Sequence, residues 1–148
     1  MPLPKLPGTA LCLLGLLALL AAPADTRAEP VVVVAARSPV GALNVDQVAG
    51  IFLGKIDSYP DGHAAVPIDQ PEGAAVRDRF YDLVAGKTPA QVKAYWSRII
   101  FSGRGAPPPV AADDGEVRKR LLRDYYAIGY VERDSVDATL RIVYPHGN

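Results

Sequence analysis

Hydrophobic residues recur along this chain with two periods, and the switches between them predict its elements. Val31-Val32-Val33-Val34-Ala35-Ala36 is an unbroken, mostly β-branched run. It predicts a strand covered on both faces within a partly parallel sheet. Arg37-Ser38-Pro39-Val40-Gly41 breaks that run, after which Asn44 predicts an N-cap paired with Gln47. Val48, Ile51 and Phe52 then face inward on a short helix that Gly54 terminates. Tyr59-Pro60-Asp61-Gly62 has turn chemistry, residues 65–68 predict a short strand, and Asp69-Gln70-Pro71-Glu72-Gly73 predicts a loop. A second helix should bury Val76, Phe80, Leu83 and Val84 and end at Gly86, with Arg77, Asp78, Arg79 and Asp82 as solvated charges.

The third helix has the fullest start signal: Thr88 as N-cap, Pro89 at the first helical position and Gln91 completing a capping box. Val92, Tyr95, Trp96, Ile99 and Ile100 form one apolar stripe, so the chain's single tryptophan is expected to be buried. The helix runs into Gly103-Arg104-Gly105 and then Pro107-Pro108-Pro109. Both glycines free the backbone for positive φ and expose N–H groups, and the Arg104 guanidinium between them suits an oxyanion. On the residues alone the alternative stays open that Gly103 merely ends the helix and Arg104 is solvated.

Asp113 and Glu116 form an Asp-x-x-Glu box opening a fourth helix, with Val117, Leu121 and Tyr125 along one side. Arg118, Lys119, Arg120 and Arg123 read as its solvated face. Residues 127–131 and 139–144 predict the last two strands. Strands thus alternate with helices throughout, which predicts an α/β domain with a mixed β-sheet and flanking helices.

Composition changes the picture mainly at the N-terminus. Lys5, the apolar run over residues 11–22 and Ala22-Pro23-Ala24 have the order of a secretory signal peptide, with Thr26-Arg27-Ala28 as a second cleavage signal. Residues 1–28 are therefore expected to direct export to the periplasm, leaving 29–148 as one domain. The apolar run is shorter than the roughly 20 residues of a spanning helix, so no membrane insertion is expected once the signal is removed. Cys12, the only cysteine, would leave with it, and disulfides, thiolate ligands and cysteine nucleophiles would go too. Of 16 bases and 16 acids, the first 28 residues hold Lys5, Arg27 and Asp25, so the remainder carries one more acid than base. That balance gives no reason to expect nucleic acid or an anionic membrane as partner.

Chemistry beyond binding finds little material. His63 and His146 are the only imidazoles, with no partner spacing for acid–base catalysis and no ligand set for a metal. The expectation is a non-enzyme without cofactor or metal. Several carboxylates stand near helix starts: Asp69 and Glu72 at one, Asp113, Asp114 and Glu116 at another. A helix N-terminus carries only about half a unit of positive charge, so these acids are expected to cap their own helices.

Two pieces of text match a known family. Ile51-Phe52-Leu53-Gly54-Lys55 resembles a signature of the phosphate-binding proteins of ABC transporters, which have the type 2 periplasmic binding-protein fold. Ala127-Ile128-Gly129-Tyr130-Val131-Glu132 is similar to a strand of the same family, and Gly103-Arg104-Gly105 and Asp114-Gly115-Glu116-Val117 resemble its glycine-rich turn and the helix start after it. The likeness spans most of residues 31–144 in a chain about half the family's length. It implies a reduced type 2 periplasmic binding-protein-like domain that binds phosphate or another small anion for transport or sensing. Arg37, Ser38, Gly103, Arg104, Gly105, Asp114 and Gly115 are the expected ligand-binding residues, the first five in turns, where α/β folds place ligands, and the last two at the start of the fourth helix. The alternative is a non-catalytic module that docks on a membrane sensor or transporter protein through Tyr59-Pro60 or Pro107-Pro108-Pro109.

Overall fold

The computed structural model describes residues 1–4 and 28–146; positions 5–27, which hold most of the expected signal peptide and Cys12, lie outside the described residues. The elements are β1 Pro30–Ala35, α1 Val45–Phe52, β2 Val66–Pro67, α2 Ala75–Ala85, α3 Pro89–Phe101, α4 Asp114–Arg123, β3 Ala127–Glu132 and β4 Leu140–Tyr144. A 3-10 turn, Arg133–Ser135, links β3 to β4. The mixed sheet has the order β2-β3-β1-β4. β1 pairs antiparallel with both β3 and β4, so the parallel character is confined to the short β2–β3 pair.

The position of β1 explains its composition. A strand hydrogen-bonded on both sides and covered above and below has no wet face, and all six of its residues are buried. Val32 and Val34 point into a core built with α1, α2 and α3, whereas Val31 and Val33 point into one built with α4. Successive side chains alternate across a strand, so one run of four valines serves both cores. The result is a helix–sheet–helix sandwich, an α/β fold.

Local rules place α1 and α3 where the sequence puts them. Asn44 and Gln47 cap α1 reciprocally, and Thr88 and Gln91 do the same for α3. α4 departs from its expected box: Asp113 Oδ1 accepts from the Glu116 N–H at 2.8 Å, but the Glu116 carboxylate reaches past it to the Ala112 N–H at 2.6 Å. Neither Asp69 nor Glu72 caps α2, whose N-cap position is Ala74 with no side-chain bond. Asp69 is buried, and Glu72 stands 3.8 Å from Lys93 Nζ.

Four burial expectations are corrected. Leu83 is 46% exposed, and Arg77 is buried at 7%, because the inward face of α2 runs through Val76, Arg77, Phe80, Tyr81 and Val84. Tyr125 is exposed because α4 ends at Arg123 and no longer carries it. Ile100 is exposed, as is Phe101, because α3 buries only Val92 and Trp96 fully and its last turn overhangs the layer. Gly103 has φ 68°, but Gly105 does not adopt positive φ.

Candidate functional site

The expected ligand residues fall in three places. Arg37 is exposed and walls a hollow of about 360 Å³ with Ala36, Leu122, Tyr125 and Thr139. Ser38 beside it is buried: its hydroxyl donates to the Tyr125 carbonyl and accepts from the Val40 N–H at 3.2 Å. Asp114, at the start of α4, accepts from Gln70 Nε2 at 2.8 Å, the Glu132 N–H at 3.0 Å and Ser135 Oγ at 2.6 Å. A carboxylate with three donors is the tie between α4, the Asp69–Gly73 loop and the end of β3. Gly115 follows it within the first turn of α4.

The third place collects more. After α3, the Gly103 N–H bonds the Ile100 carbonyl at 3.0 Å and the Arg104 N–H bonds that of Ile99 at 3.3 Å, so these two donors close the helix. Among the described residues the Gly105 N–H has no hydrogen-bond acceptor. Arg104 Nε rests on Ser102 Oγ at 3.1 Å. Arg104 and Gly105 line a hollow of about 480 Å³ with Gly54, Lys55, Tyr95 and Trp96. Lys55 comes from the turn after α1, and its Nζ stands 5.9 Å from the Tyr95 ring; Lys87 Nζ approaches that ring at 5.8 Å. Tyr95 is fixed by a 2.6 Å bond from its hydroxyl to the Leu53 carbonyl. The wall thus carries two cations and no carboxylate.

A buried polar cluster lies on the other side of Trp96, and the sequence did not announce it. Asp69, 2% exposed, accepts from Tyr81 OH at 2.7 Å, from Tyr130 OH and from the Gln70 N–H at 2.8 Å. Burial first, then the Asp69 charge, pushes both tyrosine hydroxyls well above the ordinary tyrosine range. Arg77 Nε stands 3.5 Å from Asp69 Oδ1, within ion-pair reach but without a hydrogen bond, and its guanidinium lies 5.2 Å from the Tyr81 ring centre. Arg77 also lines a cavity of about 240 Å³ with Lys93, Trp96, Ile100, Pro108 and Val110. One signal for this cluster was available. A tyrosine on an apolar helix face and another in a buried strand each need an acceptor, and Asp69 is the first acid after β2.

Among the described residues no group of three or more His, Cys, Asp or Glu side chains converges on a metal position, and no helix is long and apolar enough to cross a membrane. Of the two segments expected to dock a partner, Tyr59 is buried with its hydroxyl on the Tyr126 carbonyl beside an exposed Pro60, and Pro108 is buried between exposed Pro107 and Pro109.

No protein-family model and no curated protein matches the chain. Solved structures do. A phosphate ABC transporter substrate-binding protein with bound phosphate from Clostridium perfringens is similar with a TM-score of 0.62 and 19% identity, over 78% of this chain and 44% of that one. An ABC-type phosphate transport receptor from Vibrio cholerae gives 0.61 and 17% identity, over 78% and 45%. PstS from Borrelia burgdorferi gives 0.59 and 15% identity, over 80% and 49%. The chain therefore spans less than half the length of these structures, and its α/β domain has the fold of that part of the phosphate-transport binding proteins.

Proposed function

We propose that this protein is an exported, non-catalytic solute-binding-like domain of the periplasm that holds a small oxyanion of the phosphate class for a membrane transporter or sensor. The observation that carries the reading is the hollow between α1 and the turn after α3, where Lys55 and Arg104 share one wall with no acid on it. An arginine fork and an ammonium group together with the unbonded Gly105 N–H give charge-assisted donors to a tetrahedral anion. Gly103 shapes that turn, whereas Ser38, Asp114 and Gly115 hold the turns in which they stand. Arg37 faces a separate hollow and takes no part in this site. The bound phosphate named for the similar Clostridium perfringens structure supports the same ligand class.

Thermal unfolding of the full-length chain titrated with phosphate, sulfate and a neutral sugar tests this. A ligand at 100 times its Kd that binds only the folded state adds about 2.7 kcal/mol, a rise of roughly 5 to 15 °C in Tm for a domain of this size. Phosphate or sulfate is expected to raise Tm, the sugar to do nothing, and Arg104→Ala or Lys55→Ala to remove most of the rise. A phosphate response that survives both substitutions, or no response at millimolar concentration, overturns the reading.

A further inference from the structure

We infer that the cavity between α2, α3 and the proline segment is a second binding site, for a small monocarboxylate with an apolar body, held at its carboxylate by the Arg77 guanidinium. The site adjoins the Arg104 hollow across Trp96, which walls both, but it does not depend on the oxyanion reading. Arg77 is more than nine-tenths buried. Its Nε faces Asp69, and among the described residues its two terminal amino groups donate to no protein acceptor. Only Nε is fully buried and unpaired, so the fork is the part of the guanidinium that reaches the cavity, and it matches the two oxygens of a carboxylate.

A second donor points to the same place. Trp96 Nε1 is buried without an acceptor, and its ring forms part of the same wall. An acceptor in the cavity that takes the Arg77 fork would also satisfy the Trp96 N–H after a small rotation of the ring.

The remaining wall selects the ligand class. Ile100, Pro107, Pro108 and Val110 are apolar, and Ile100 and Val110 are 55% and 51% exposed, so they offer hydrophobic surface to whatever enters. The charged residues come in two opposed pairs, Arg77 with Asp69 and Lys93 with Glu72. Both anions meet this same balanced charge, but a phosphate dianion is repelled by the two carboxylates with twice the charge and loses more hydration against the apolar wall than a monocarboxylate does. The volume of about 240 Å³ suits a ligand of a few carbons.

Trp96 is the chain's only tryptophan and walls both hollows, so one indole N–H resonance reports on this site and the Arg104→Ala background separates it from the other. The full-length chain would be titrated by NMR with butyrate, with 1-butanol as the same apolar body lacking the carboxylate, and with phosphate. Butyrate is expected to move the indole resonance saturably, and 1-butanol to bind at least tenfold more weakly. Arg77→Lys keeps the charge opposite Asp69 but loses the fork, and should weaken butyrate at least tenfold. Ser97→Phe fills the cavity mouth from an exposed position and should do the same even if Arg77→Lys folds poorly. Arg104→Ala should leave the butyrate response unchanged while abolishing the thermal response to phosphate, so the two sites can fail separately. A butyrate shift that survives Ser97→Phe, an equal response to 1-butanol, or no shift at millimolar butyrate overturns the inference.

Discussion

At the scale of single residues, Asp69 decides more than any other side chain. It accepts hydrogen bonds from two buried tyrosines and a backbone N–H, and it is the counter-charge of a buried arginine. Removing one partner of such a network leaves the others desolvated and unpaired, which costs more than the bonds themselves contribute. Asp69→Ala should therefore destabilise the fold by about 3–5 kcal/mol, with Arg77 left as an uncompensated buried charge. Tyr130→Phe should cost only about 1–2 kcal/mol, since Asp69 Oδ1 keeps the Gln70 N–H. Urea unfolding of the two variants checks the order; equal losses would mean that Asp69 is not the hub. Sequence reading placed Asp69 at a helix start because that is the commonest local use of an aspartate after a strand. Its partners Tyr81 and Tyr130 are 12 and 61 residues away, and nothing local predicts that they converge.

At the scale of elements, what was legible is what neighbouring residues decide. The reciprocal caps of α1 and α3 are contained in four residues each, and both formed as read. Faces were less legible, because which stripe of α2 turns inward depends on what Arg77 meets in the Asp69 loop. Close packing between elements is invisible locally as well. In β3, a Cβ built on Gly129 stands 2.6 Å from Val117 Cγ1 of α4, and Val117 is fully buried with no room to withdraw. Gly129→Ala should therefore cost about 1–3 kcal/mol by overpacking the α4–β3 contact. Adding Val117→Ala removes the clashing methyl and should recover part of that loss, a coupling that a double-mutant cycle in urea measures. Strictly additive losses would show that the strain lies elsewhere. The single glycine in the strand predicted over 127–131 thus sits where α4 packs directly against β3.

At the scale of the whole molecule, the α/β class followed from alternation, but the sheet order and the meeting of Lys55 with Arg104 did not, since both depend on how turns about 50 residues apart fold onto one another. The buried tyrosines give the assembled fold a property that no single element has. Tyr59, Tyr81 and Tyr130 all titrate well above the ordinary tyrosine range, in each case chiefly because burial disfavours the phenolate and secondly because a carboxylate lies near. Below about pH 10 these three are protonated in both folded and unfolded chains, and their contribution is fully present. Above it the unfolded chain releases protons that the folded chain retains, so stability must fall as pH rises. The slope is at most about 1.4 kcal/mol per pH unit for each tyrosine, or roughly 4 for all three. The urea midpoint should therefore stay level from neutrality to about pH 9 and drop steeply beyond about pH 10. Tyr81→Phe lowers the starting stability, because Asp69 loses a donor, yet it should flatten the alkaline slope by about a third. That opposition separates linkage from simple weakening: a variant that is weaker at every pH with an unchanged slope would show that Tyr81 is not held protonated by the fold.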